Sequence, residues 1–180
     1  MRSPTIARNY AEALFIVATR HREAERYGDL LDAVAGAIAA DRRLEVALES
    51  PRVPKSLKQQ ILSRALEGVA PVGLIKFLHA VVKRGRQGLL PEISQEYQRL
   101  LDQALNRVHA GVTLAREANA KLQKDIADRL AEVLGKTVIP HVLVDPAILG
   151  GVVVKVGDRI YDGSVRRKLQ TLRWRLTGRT

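Results

Sequence analysis

Four histidines, His21, His79, His109 and His141, are the residues best suited to hold a metal or move a proton, and no cysteine accompanies them. They fall in four separate segments without the close spacing of a zinc site or an H-E-x-x-H helix, so surface or interface roles are expected and no metal. The lack of cysteine also removes disulfides and thiolate catalysis. Gly135-Lys136-Thr137 resembles the end of a phosphate-binding loop, but Leu130 stands where that loop needs its first glycine. The tripeptide also follows a helical pattern and enters a β-branched run, the reverse of strand, loop, helix; a helix C-cap is the expectation. Gly150-Gly151 and Gly157-Asp158 do not complete a dinucleotide fingerprint. Asp29 with Asp32, and Asp125 with Asp128, share helical spacing and read as solvated faces rather than acid–base pairs. No G-x-S-x-G elbow is present. Neither an enzyme nor a cofactor is expected.

What remains is binding. The net charge is +11, and it is unevenly spread: residues 1–106 carry 16 Lys/Arg against 12 Asp/Glu, residues 107–180 carry 14 against 7. Such a balance favours an acidic partner, which charge alone does not identify. Arg166, Arg167 and Lys168, with Arg173, Arg175 and a Trp174 able to stack on a base, form the best argument for nucleic acid. Against it, aromatic residues make up only 4% of the chain, and no helix-turn-helix or RNA-binding signature appears. A basic nucleic-acid-binding protein using this terminal helix is therefore the alternative reading, behind a helix that meets protein.

The elements that must present these residues follow from hydrophobic period and breakers. Ser3-Pro4 suits a helix start, and Ile6, Tyr10, Ala13, Leu14 and Val17 recur at helical steps after it. A second helix spans about 22–40, and Asp41 caps a short third one. Pro54 opens a fourth and Pro71 a fifth, which Gly68 and Gly85 separate from their neighbours. A sixth runs from Leu89 to Leu105. Six helices joined by short connections predict a bundle over 1–106. From Asn106 the period changes. A strand at 109–115, a helix at 119–134, a strand at 137–144, a hairpin turning at Gly157-Asp158 and a terminal helix capped by Ser164 predict a small mixed α/β domain over 107–180. In that last helix Val165, Leu169, Leu172 and Leu176 are expected to face inward. The fold class is thus α+β. No apolar run reaches the length of a membrane span, and no signal or transit pattern stands at the N-terminus.

Two features exceed what a bundle alone needs. The first helix carries small residues, Ala7, Ala11, Ala13 and Ala18, beside Tyr10 and Phe15, an arrangement that permits close approach. The fifth is nearly apolar all round from Val72 to Val82, which suits either a central core helix or one wall of a groove for a partner helix.

Three blocks of this sequence resemble one family. Ala7-Arg8-Asn9-Tyr10-Ala11-Glu12-Ala13-Leu14-Phe15 is similar to the opening of the rotary ATP synthase δ subunits, called the oligomycin sensitivity-conferring protein in mitochondria. Leu89-Leu90-Pro91-Glu92-Ile93 through Tyr97 resembles that family's entry into its last helix of the bundle. Asp145-Pro146-x-Ile148-Leu149-Gly150-Gly151-Val152, then Val156-Gly157-Asp158 and Asp162-Gly163-Ser164-Val165-Arg166, resembles its C-terminal signature. Leu114-Ala115 and Arg166-Arg167 depart locally from the family's Ser-Ala and Arg-Gly.

The resemblance implies a non-catalytic stator connector in a hetero-oligomeric F-type ATP synthase. Its helical domain would receive the N-terminal helix of an α subunit between the first and fifth helices, through Tyr10, Ala13, Leu14, Val17, Leu74, Phe77, Leu78 and Val81, with Tyr27 as buttress. Its second domain would hold the b-type peripheral stalk through Val165, Arg166, Arg167, Lys168, Leu169 and Leu172. Gly150, Gly151, Gly157, Asp158, Asp162, Gly163 and Ser164 would shape turns, and Gly157→Val is expected to unfold that domain. The implied location is peripheral, on the cytoplasmic face of a bacterial inner membrane, with no cofactor, nucleic acid or membrane span of its own.

Overall fold

The computed structural model describes residues 4–177; Ser3, the expected cap of the first helix, lies outside them. The chain divides into two compact units, Met1–Asp102 and Gln103–Thr180, the division falling in the last turn of a helix.

Unit 1 contains α1 (Pro4–Arg20), α2 (Ala24–Ala40), α3 (Arg42–Glu49), α4 (Lys55–Leu66), α5 (Val72–Lys83), a single 3-10 turn (Gln87–Leu89) and α6 (Leu90–Ala104). The starts and stops are chemical. The Asp41 carboxylate accepts from the Arg43 N–H at 2.8 Å, and Pro54 and Pro71 stand at the N-caps of α4 and α5. Gly85, just beyond α5, takes a φ of +66° that side-chain-bearing residues rarely adopt.

Leu14, Leu31, Leu74, Leu78, Val81, Leu90, Ile93 and Tyr97 are each at most 1% exposed and form the centre of the bundle. Each such aliphatic side chain contributes about 1.5–3 kcal/mol on burial. The Tyr97 hydroxyl leaves the core to donate to the Ala24 carbonyl at 2.8 Å, tying α6 to the start of α2. Burial, with Tyr27 nearby, pushes the Tyr97 phenol well above its ordinary 10.0. Lys58 is buried, and its ammonium donates to the Ser50 carbonyl at 2.8 Å, which holds the α3–α4 turn.

Unit 2 contains β1 (Arg107–Leu114), α7 (Ala120–Leu134), β2 (Thr137–Val144), a 3-10 turn (Pro146–Ile148), β3 (Val152–Val156), β4 (Arg159–Asp162) and α8 (Val165–Leu176). The strands form one sheet in the order β2-β1-β3-β4. β1 and β2 run parallel with Val112 opposite Val142, and β1 and β3 antiparallel with Val112 opposite Val154. Parallel neighbours need a crossover, and α7 supplies it. Ile126, Leu130, Ala131 and Leu134 of α7 cover the face that carries Ala110, Val112, Leu114, Val138 and Val154. Asn119 caps α7 by accepting from the Leu122 N–H at 2.8 Å. Gly135 ends it at φ +64°, so Gly135-Lys136-Thr137 is a helix C-cap, as its context predicts.

Candidate partner-binding surfaces

In α1 the inward stripe is Ala7, Ala11, Leu14 and Ala18, each at most 1% exposed. The small residues therefore let α1 approach its own bundle; only Ala13 among them faces out. Ile6, Tyr10, Ala13 and Val17 form a second apolar stripe, turned by about 100° from the first at helical spacing, and the core leaves it half-covered or exposed. Tyr10 meets Phe77 of α5 edge to face at 6.1 Å between centroids, and the Arg86 guanidinium lies 5.7 Å from the Tyr10 ring centre.

Gly73 of α5 is where Tyr27 comes close. A methyl group there would stand 2.4 Å from the Tyr27 hydroxyl oxygen and 3.5 Å from a Val17 methyl. Burial, then the Glu23 carboxylate, raises the Tyr27 phenol above its ordinary value.

The groove residues expected from sequence thus separate into two sets. Leu14, Tyr27, Leu74, Leu78 and Val81 are at most 1% exposed and belong to the core of unit 1. Tyr10 and Phe77 are half-buried, and Ala13 and Val17 exposed, so these four line a shallow face between α1 and α5. Period alone does not separate the sets, because both apolar arcs of each helix run at the same spacing. Ile16 of α1 and Val72 of α5 are further exposed apolar residues, 55% and 66% exposed, standing outside the inward stripes of their helices.

In unit 2 the glycine- and aspartate-rich signature builds one junction. Gly151 has φ +78°, and a methyl there would fall 2.4 Å from the Gly163 carbonyl oxygen. At Gly150 it would meet a Val165 methyl at 3.1 Å, and at Gly163 the Val152 carbonyl oxygen at 3.2 Å. Gly163 N–H donates to Val152 O at 2.9 Å, and Val165 N–H to Gly150 O at 3.0 Å. Asp162 accepts from the Ser164 N–H at 2.9 Å, and Ser164 Oγ accepts from the Arg167 N–H at 3.1 Å, capping α8. The hydrogen bonds from Ser164, more than the nearby Arg167, hold the Asp162 carboxyl below its ordinary 3.8. Gly157 opens the β3–β4 hairpin at φ +56° with no heavy atom near its missing side chain, and Asp158 completes that turn on the surface.

The inward stripe expected for α8 is not inward. Val165, Leu169, Leu172 and Leu176 are 39%, 52%, 52% and 86% exposed, and no residue of α8 is buried. The physical reason is that α7 alone fills the covered face of the sheet, while α8 meets its unit chiefly at the Pro146–Ile148 turn. Arg166, Arg167, Lys168, Leu169 and Leu172 are all exposed, and the Arg167 guanidinium lies 3.9 Å from the Asp162 carboxylate.

Among the described residues no cluster of three or more metal-ligating side chains exists. The structure does bring two histidines together: His109 Nδ1 and His141 Nε2 are 2.8 Å apart with stacked rings. Parallel register sets Gly111 opposite His141, making His109 its diagonal neighbour, a proximity that spacing along the chain hides. Ser63 Oγ and His79 Nε2 are also 2.8 Å apart, across α4 and α5. No described helix is long and apolar enough to cross a membrane.

The family model for the ATP synthase delta (OSCP) subunit matches residues 6–176. An ATP synthase subunit delta of Gemmatimonas aurantiaca is 51% identical over 174 residues, covering 97% of this chain and 94% of that one. One of Desulfotalea psychrophila is 33% identical over 180 residues, covering 99% of each. A chain of the Toxoplasma gondii mitochondrial ATP synthase hexamer shares the fold, with a TM-score of 0.64 at 18% identity over 95% of this chain and 97% of that one. On the match across both units, the chain belongs to the ATP synthase delta (OSCP) subunit family, whose members are structural and not catalytic subunits of the F-type enzyme.

Proposed function

We propose that the chain is the stator connector of a bacterial F-type ATP synthase, working at the cytoplasmic face of the inner membrane. Unit 1 receives the N-terminal helix of an α subunit on the catalytic head. Unit 2 holds the b-type subunits of the peripheral stalk. The connector keeps the head from turning with the rotor, so that proton-driven rotation is spent on ATP synthesis. Its work is binding under load, with no bond made or broken.

One observation carries the reading: both units leave apolar side chains half-covered or exposed at the margins of their own cores. On α1 these are Tyr10, Ala13 and Val17, beside Phe77 of α5; on α8 they are Val165, Leu169 and Leu172. Apolar area removed from water is worth about 25 cal/mol per Å², and shallow small residues such as Ala13 let a helix come close enough to use it.

The test is calorimetric titration of the full chain with a peptide of the α-subunit N-terminus at two salt concentrations. Tight one-to-one binding, little changed by salt and lost in Ala13→Glu, is expected. Binding that instead collapses with salt, together with affinity for nucleic acid, would favour the basic-helix alternative.

A further inference from the structure

The apolar residues of α8 follow a narrower pattern than an ordinary amphipathic helix. Val165, Leu169, Leu172 and Leu176 are separated by steps of four, three and four. At about 100° per residue they fall within roughly 60° of arc, the width of a coiled-coil seam rather than of a helix face turned to a core. In heptad terms they occupy alternate d and a positions. The positions flanking such a seam, e and g, are then Arg166, Lys168, Arg173 and Arg175. All four are basic, and all four are exposed. Arg167 and Trp174 fall on the opposite side.

We infer that α8 is half of a heterotypic two-helix seam, whose occupant is a partner helix with apolar a and d residues flanked by glutamate or aspartate. This rests on the reading of unit 2 as the stalk side and specifies the chemistry of what docks there. Four like charges beside the seam attract acidic flanks and repel a second copy of α8, so the same residues select the partner and disfavour self-pairing. The seam spans ~16 Å at 1.5 Å rise per residue, enough for four interlocking side chains.

Two observations favour a protein helix over an anionic lipid surface. A helix lying in a membrane interface has a broad apolar face that carries its tryptophan. Here the stripe is narrow, and Trp174, 63% exposed, stands away from it.

The test uses the full chain and two synthetic three-heptad peptides with isoleucine at a and leucine at d, one with glutamate at every e and g position and one with lysine. Calorimetry is expected to show one-to-one binding of the glutamate peptide, weakening with salt, and a preference over the lysine peptide of about tenfold or more. Leu172→Glu should abolish binding. A variant in which Arg166, Lys168, Arg173 and Arg175 are all glutamate, with its helix content checked by circular dichroism, should reverse the preference. Equal binding of both peptides, or a preference that survives charge reversal, would overturn the inference. So would binding of anionic phosphatidylglycerol vesicles that Leu172→Glu removes while neither peptide binds. A soluble b-subunit segment that binds Leu172→Glu as well as the unmodified chain would also overturn it and leave the stator reading standing. A segment that binds neither, with peptide selectivity intact, would sink the stator reading and leave the seam.

Discussion

The glycines of the C-terminal signature look alike in sequence, and the structure ranks them. At Gly151 an added methyl meets the Gly163 carbonyl oxygen at 2.4 Å, its carbon at 3.2 Å and Ser164 Cα at 3.3 Å. These are backbone atoms pinned by the Gly163–Val152 and Val165–Gly150 hydrogen bonds, so no side chain can rotate away. Gly151→Ala therefore carries both the left-handed penalty of about 1–2 kcal/mol and an overpacking cost of about 1–3 kcal/mol. Gly157→Ala carries only the first, because φ is +56° and no heavy atom lies within 4 Å. Native-state hydrogen exchange of the full chain, read at the β3 amides of Val154 and Lys155, separates the two. Protection is expected to fall about 30-fold to 4,000-fold in Gly151→Ala and about 5-fold to 30-fold in Gly157→Ala, at about 1.4 kcal/mol per decade. Unit 1 amides should be unchanged in both. Protection in Gly151→Ala equal to or greater than that in Gly157→Ala would refute the close-approach argument.

Leu14→Ala and Ala13→Glu, adjacent on α1, should behave oppositely. The first empties a core site and costs about 2–5 kcal/mol in urea denaturation, while the second leaves stability within about 0.5 kcal/mol and removes peptide binding. Because the folded pKa of Tyr97 is raised, its contribution is complete below pH 10 and is lost as pH rises through the folded value. Tyr97→Phe should lose about 1 kcal/mol at neutral pH with the Ala24 hydrogen bond, and its melting temperature should fall less steeply above pH 10. Asp162 works in the opposite direction: its lowered pKa supports the fold above pH 3.8, and that support disappears as pH falls below it. Asp162→Asn should therefore flatten the acid limb of unit 2 unfolding, followed by exchange at β3.

Breakers and caps made most of the fold legible. Asp41, Pro54, Pro71, Asn119, Gly135 and Ser164 mark helix ends in sequence for the same reasons that they do so in space. The parallel β1–β2 pair follows from a helical segment placed between two β-branched runs. Facing was harder to read. The stripe Ile6, Tyr10, Ala13, Val17 is as regular as Ala7, Ala11, Leu14, Ala18, and only packing shows that the alanine-rich one is the core. In α8 the apolar period is visible in the sequence, but its exposure depends on α7 covering the buried face of the sheet and on α8 meeting its unit chiefly at the Pro146–Ile148 turn. Proximity across strands, as for His109 and His141, needs a register that no local pattern supplies.

A two-ended connector must hold both partners at once. The most direct measurement is sedimentation of the catalytic head with a soluble b-subunit segment, with and without this chain. A ternary complex is expected only when the chain is present, with Ala13→Glu releasing the head alone and Leu172→Glu the stalk segment alone. Head and stalk segment joining without the chain, or binding to it only in mutually exclusive pairs, would contradict the connector role.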